Sequence, residues 1–286
     1  MRDNNAPKTV FEIMAMFLRA YTLRIESTTP RAANTWAPYV DAFFFHVGYN
    51  LDAAVMPQRQ LDKIVRQSRI SRVRHRPTSA ELDAPRRHYV ADLVHHYQLG
   101  VSSESPMLEY ISYYHVAEHW FESIYQDDLV EQIQSTITAP SFSYRRKKDV
   151  RDLIRKVSKA VQLRDDQLVI NEQVALKLTL DRHVDLNNLR ADLQNFDPSL
   201  LQAYENSTVS FSSGDRVPFS GEDRAEIIGA LSRRIYKTRN SLVHSKDGAK
   251  GRFVPFSDDR ELIREVPLLR FVAEQIIVST STLAPS

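Results

Sequence analysis

The chain contains no cysteine among its 286 residues, which removes thiol nucleophiles, disulfide frameworks and thiolate metal sites together. That absence fits a reducing compartment, and a cytoplasmic protein is expected. Glycine is also scarce, with 7 residues, about a third of the usual ~7% share. Phosphate cradles and tight hairpins depend on glycine, because a backbone without Cβ reaches positive φ and approaches a ligand closely. The glycines at 48, 100, 214, 221, 229, 248 and 251 form none of the strings G-x-G-x-x-G, G-x-x-x-x-G-K-[ST] or G-x-S-x-G. This argues against a dinucleotide-binding fold, a P-loop NTPase and an α/β-hydrolase. Long apolar runs are missing too. No window of 18 residues is free of charge, and Arg2, Asp3, Lys8 and Glu12 interrupt the first 18. Neither a membrane span nor a signal peptide is expected.

What is there is a chain with 42% hydrophobic and 26% charged residues and a net charge of +2, enough apolar material for a core. Its wealth of Leu, Arg, Gln and Ala favours helices. The expected fold is mainly α: an N-terminal region over residues 1–80, helical or mixed α/β, then a helical domain over residues 81–286. In the first region Tyr21 to Ile25 alternates like a half-buried strand, and the aromatic-dense Trp36 to Met56 reads as a buried helix stopped by Pro57. The run Val65 to Arg76, with Arg66, Arg69, Arg72, Arg74 and Arg76, and the loop Pro77 to Pro85 form the seam. Beyond it, Pro85 to Leu99 and Ser105 to Gln126 read as helices separated by Gly100 to Ser103, with Pro106 at a first-turn position. Arg145 to Leu163 is a third, with Val150, Leu153, Ile154, Val157 and Val161 on one side. Arg145, Arg146, Lys147, Lys148, Arg151, Arg155, Lys156 and Lys159 occupy the other. A fourth spans Asn171 to Phe196, and Ser207 to Pro218 reads as a polar loop. A fifth runs from Ser220, taken as N-cap, to about His244, and a sixth covers Asp258 to Ser279.

Two of these helices carry a charge on an apolar stripe. At about 100° per residue, Ile228, Leu231, Ile235 and Leu242 form one stripe of the fifth helix, and Arg239 falls inside it. Met107, Ile111, Tyr114, Phe121 and Tyr125 form another upstream, with Glu118 in its middle. A buried charge is costly unless it is paired and hydrogen-bonded, so Glu118 and Arg239 are expected to meet. The rival arrangement is that each stem lies in the core while its head reaches water. Beside the Arg239 stripe runs a polar ridge of Arg233, Lys237, Asn240 and His244, spaced four, three and four apart. Such ridges are most often solvated faces. This one combines a proton-exchanging His with Arg and Lys that can hold a phosphate and an Asn that can orient a water or hydroxyl.

The run Tyr236-Lys-Thr-Arg239-Asn240-Ser-Leu-Val-His244 resembles the signature of the HEPN superfamily (higher eukaryote and prokaryote nucleotide-binding): an Arg, a polar residue, and a His after four to six intervening residues near the end of a late helix. Here the gap is four. Tyr113-Tyr114-His115-Val116-Ala117-Glu118-His119-Trp120-Phe121 similarly resembles the acidic early helix of the Apea-like HEPN branch. The likeness covers roughly residues 85 to 280 and does not extend to the first 80. It implies metal-independent RNA cleavage by a homodimer whose two Arg/His motifs line one cleft, leaving a 2′,3′-cyclic phosphate and a 5′-OH, with no cofactor and no metal. By position, His244 acts on the ribose 2′-OH or the leaving oxygen, Arg239 and Asn240 orient the scissile phosphate and the His, and Glu118 holds Arg239. The resemblance also implies a bacterial defence, antiviral or toxin–antitoxin setting, with an antitoxin or regulatory protein as a further partner.

Two other readings compete. His115-Val-Ala-Glu118-His119 matches the inverted zinc-peptidase string H-x-x-E-H, in which two His hold zinc and the Glu serves as base; the sequence names no third ligand. The second is a non-catalytic helical module that binds RNA, a nucleotide or a protein. For RNA, Arg233 and Lys237 on the ridge and the cluster Arg145, Arg146, Lys147 and Lys148 suit phosphate contacts, as does the run from Arg66 to Arg76.

Overall fold

The computed structural model of the chain describes residues 25–30, 32, 35–52, 85–160, 162–164, 167–243, 253–255 and 257–284. The expected strand at 21–25, the arginine run at 66–76 and the boundary at residue 80 thus lie wholly or almost wholly outside the described residues, and His244 lies just beyond them. The fold is mainly helical, and its strands form two short antiparallel ladders among the described residues. Contacts divide the chain into two compact units, residues 1–104 with 281–286, and residues 105–280.

In the first unit, α1 (Ala37–Leu51) begins with Pro38 in its first turn, where the missing N–H leaves no bond unmade. It ends at Asp52, whose φ of 51° is left-handed, five residues before the proline expected to stop it. Ala42, Phe44, Phe45 and Val47 are buried. After β1 (Arg87–His88), α2 (Ala91–Ser102) buries Leu93, Val94 and Tyr97, and the two helices pack together. Phe45 meets Tyr97 and Tyr89 with ring centroids 5.4 and 4.5 Å apart. Gly48 lies at the crossing, where a Cβ would come within 2.8 Å of Gln98 Nε2. β1 pairs with β4 (Thr282–Leu283), Arg87 opposite Leu283 and His88 opposite Thr282.

The second unit begins with α3 (Pro106–Glu118), for which Ser105 is the N-cap. The single helix expected from 105 to 126 is broken. His119 and Trp120 make a turn, and α4 (Phe121–Thr138) follows as a separate helix. Phe121 and Tyr125 therefore bury their rings from a different helix than Tyr110, Tyr113 and Tyr114. α5 (Lys147–Ala160) packs on α4, and the small ladder of β2 (Gln162–Arg164) and β3 (Gln167–Val169) follows. The expected fourth helix is also two. α6 (Glu172–His183) is capped by Asn171, and α7 (Leu186–Phe196) by Asp185, which accepts from the N–H groups of Asn187 and Asn188. Next come α8 (Ser199–Asn206), α9 (Arg224–Val243) and α10 (Asp259–Ser279). The cap of α9 is Asp223, which accepts from Ala225 and Glu226, not Ser220. α3 packs on α6, α9 and α10, and α6 packs on α9 and α10. The loop before α9 is less polar than its composition suggests: Val209, Phe211, Val217 and Phe219 are all buried. No helix of the described residues is long and apolar enough to cross a membrane.

Candidate functional site

The four stripe residues of α9, Ile228, Leu231, Ile235 and Leu242, are all buried, which fixes the face on which Arg239 stands. Its side chain is only 14% exposed. One terminal nitrogen donates to Glu118 Oε1 at 3.3 Å, and the other donates to Glu172 Oε2 at 3.1 Å and to Asn240 Oδ1 at 3.2 Å. The guanidinium carbon lies 5.0 Å from the centroid of the Tyr114 ring, a cation–π distance. The acid on α3 and the base on α9 meet, as expected; the α9 stripe is buried, whereas the upstream stripe is split between α3 and α4 and leaves Glu118 31% exposed.

Glu118 has a second partner. His115 Nδ1 lies 2.7 Å from Glu118 Oε2, one turn earlier on α3. The carboxylate thus bridges an imidazole and a guanidinium, giving the line His115, Glu118, Arg239, Asn240 across two helices. Under the guanidinium, burial raises the Tyr114 phenol well above its ordinary range, against the downward pull of Arg239. The Tyr114 hydroxyl has no hydrogen-bond partner among the described residues. Asn240 is oriented by this network: an Arg offers donors only, so the amide oxygen faces Arg239 and the NH₂ group turns away from it.

His119 is exposed and stands edge-on to Trp120 at 5.0 Å, beyond the last residue of α3. Among the described residues no group of three or more His, Asp or Glu side chains is placed to hold a metal ion.

The ridge residues Arg233 and Lys237 are engaged with Asp215, a residue of the preceding loop. Lys237 Nζ also donates to the Ser213 carbonyl at 3.2 Å. Burial pulls the Asp215 carboxyl upward, but hydrogen bonds from Arg233 and Lys237 outweigh it and hold the group below its ordinary value. The buried loop residues Val209 and Val217 anchor this acid beneath the ridge. Arg145, Arg146, Lys147 and Lys148 are exposed at the start of α5, apart from the Arg239 cluster in the sequence and on a helix that packs on α4.

A second buried pair, not anticipated, lies five residues before Arg239. Arg234 and Glu265 are 3% and 4% exposed and form two parallel hydrogen bonds of 2.7 Å each. Arg234 also donates to the carbonyls of Ser207 and Asp215, both at 2.8 Å, and lies 5.0 Å from the Tyr204 ring centroid. Burial pushes the Glu265 carboxyl up, against the pull of Arg234. The reasoning applied to Arg239 finds this pair as well. Arg234 follows Ile227 and Leu231 by seven and three, and Glu265 lies three after Leu262 and four before Leu269. Glu172 gave a weaker signal, since an acid in the first turn of a helix is ordinary dipole compensation. Asp215, in a loop without periodicity, gave none.

Comparison with protein-family models, curated proteins and solved structures finds no match to the chain.

Proposed function

We propose that residues 105–280 form a metal-independent endoribonuclease of the HEPN type, with Asn240 and His244 meeting the phosphodiester. The observation that supports this best is the anchoring of Arg239 at the last turn of α9 by Glu118, Glu172 and the Tyr114 ring. Three of the five N–H donors of Arg239 go to Glu118, Glu172 and Asn240. Its first role is therefore positioning: it fixes Asn240 and the turn from which His244 follows, and its remaining N–H groups are left to orient the scissile phosphate. In the reaction a base removes the 2′-OH proton, O2′ attacks phosphorus, the P–O5′ bond breaks and O5′ gains a proton. A 2′,3′-cyclic phosphate and a 5′-OH result. His244 supplies one proton transfer, and the Asn240 NH₂ donates to a non-bridging oxygen as charge builds there. The second acid/base comes from a partner copy in an isologous dimer. A cytoplasmic role in bacterial defence, restrained by an antitoxin or regulatory protein, belongs to the same reading.

One observation favours a second reading, a helical module that binds RNA without cutting it. Two carboxylates flank the one guanidinium of this site, which disfavours a scissile phosphate there and leaves RNA contacts to surfaces elsewhere on the chain. Incubation with total RNA in EDTA separates the two. The wild type is expected to cut and to leave cyclic phosphate ends, with His244→Ala slower by ~10²–10⁴-fold and Asn240→Ala also impaired. Cleavage at the wild-type rate by folded His244→Ala and Asn240→Ala sinks the nuclease reading. Binding without cleavage, with a steep salt dependence, installs the module in its place.

A further inference from the structure

The turn into α5 and the outer face of that helix form a surface that the Arg239 site does not use. At about 100° per residue, Lys147, Arg151, Arg155 and Lys148 fall on one arc of α5, and all four are exposed. Lys147, Arg151 and Arg155 follow four apart, a row that climbs about 6 Å per step. Asp149 and Asp152 are the only acids among the eight cations from Arg145 to Lys159, and both are engaged. Asp149 accepts the Ser143 N–H at 2.8 Å and pairs with Arg146 at 3.1 Å, while Asp152 pairs with Arg155 at 3.2 Å. The half-buried Val150, Leu153 and Val157 lie on the other side of a helix that packs on α4, and Lys156 Nζ donates to Thr136 of α4 at 3.2 Å.

At the head of this row stands Tyr144, 74% exposed, in a unit whose Tyr110, Tyr113, Tyr114 and Tyr204 are all buried. The Arg145 guanidinium lies 5.5 Å from the Tyr144 ring centroid, and its Nε donates to the phenol oxygen at 3.2 Å. Asp149 ties the Ser143 backbone in place, so the ring is presented by a braced turn. Helix stability does not call for this arrangement: Lys147 and Lys148 in the first turn oppose the positive end of the helix dipole. A solvated charged face needs no aromatic ring left in water. An acidic membrane also attracts a row of cations, but it gives a braced, exposed tyrosine ring no specific partner, and Ile154 is the one exposed aliphatic side chain that α5 offers it among the described residues. A row of cations led by an open ring matches single-stranded RNA, whose phosphates take the cations and whose bases stack on aromatics.

We propose that Tyr144 and the cationic face of α5 are a docking surface for single-stranded RNA. It takes its ligand class from the nuclease reading but is a claim about binding with its own test. Fluorescence anisotropy of the full chain with a short labelled 2′-O-methyl oligouridine, which lacks the attacking hydroxyl, measures affinity without cleavage. Tyr144→Ala is expected to weaken binding roughly 5- to 150-fold, the effect of losing one stacked base, with Tyr144→Phe near wild type. The triple variant K147Q/K148Q/R151Q is expected to flatten the slope of log affinity against log salt by ~2, at about 0.7 per phosphate contact. All four positions are exposed, so circular dichroism should match the wild type; if the triple variant unfolds, Arg151→Gln alone, with a slope change of ~0.7, carries the test. Wild-type affinity and slope in these variants overturn the proposal, as does binding of phosphatidylserine vesicles in place of RNA. Ordinary RNA still cut, with affinity unmoved by the substitutions, removes the surface and leaves the nuclease. Affinity lost in the variants of a wild type that cuts nothing does the reverse.

Discussion

Arg234 and Arg239 stand five residues apart on α9, each bonded to carboxylates and each 5.0 Å from a Tyr ring, yet removing them should have very different costs. Arg234→Met strands Glu265 in a site where both partners are almost fully enclosed, which costs about 3–5 kcal/mol. It also takes the donor from the Ser207 and Asp215 carbonyls, each worth about 1–3 kcal/mol if left unsatisfied. The total rivals the whole stability of a typical domain, about 5–15 kcal/mol, so this variant should be largely unfolded or nearly so. Arg239→Met leaves Glu118 and Glu172 behind, but these are 31% and 41% exposed, and water can solvate them. Its cost should be about 1 kcal/mol. Urea unfolding at neutral pH followed by circular dichroism measures both. Adding Glu265→Leu to Arg234→Met should recover most of the stranded-charge cost and none of the carbonyl cost. Equal losses for the two single substitutions, or a double variant no more stable than Arg234→Met, would refute the reasoning. The contrast also bears on function, because Arg239 variants that stay folded are valid probes of RNA cleavage.

Two further outcomes follow from the packing and the charges. Asp215 has a folded pKa below its ordinary value of 3.8, so its pairing stabilises the fold above about that pH and fades as pH falls through the folded value; the stability gap between wild type and Asp215→Asn, measured by urea unfolding across acid pH, should close on the acid side. A gap that widens there contradicts the assignment. Gly48→Ala places a methyl 2.8 Å from Gln98 Nε2 and 3.0 Å from Tyr97 Cε1, and Gln98 cannot retreat without loosening its bond to the Phe44 carbonyl; a loss of about 1–3 kcal/mol is expected by thermal or urea unfolding, and no loss would mean that α1 and α2 part easily.

The helical class was legible because helix formers outnumber breakers and apolar residues recur at helical spacing. The meeting of Glu118 and Arg239 was legible from the arginine, which stands on a buried stripe and needs a partner there; Glu118 itself is 31% exposed, because the stripe drawn around it runs across two helices. What periodicity could not register was interruption. The turn at His119 and Trp120 contains neither Gly nor Pro, and Asp185 caps α7 in a run that reads as continuous helix. Tertiary packing, not local propensity, decides both. The cap at Asp223 lost out to Ser220 in sequence because both residue types accept from free N–H groups, and only the geometry at Ala225 and Glu226 separates them. Loop burial escaped for a similar reason. The serines between Val209 and Gly214 hide the alternation of Val209, Phe211, Val217 and Phe219, whose burial sets Asp215 under the ridge.

The β1–β4 ladder has a consequence in time. Arg87 and His88 are made early, whereas Thr282 and Leu283 emerge only after all of residues 105–280, and Ala284 donates back to the Arg86 carbonyl at 2.9 Å. During synthesis, at roughly 5–20 residues per second, the strand at 87 waits some tens of seconds for its mate while the larger unit is translated. That unit has every contact partner of its own before the ladder can close, so the smaller unit is the one completed late. Chains cut after Thr280 should keep the helices of the larger unit and expose the N–H and C=O groups of β1 as an unpaired edge, open to pairing with another chain.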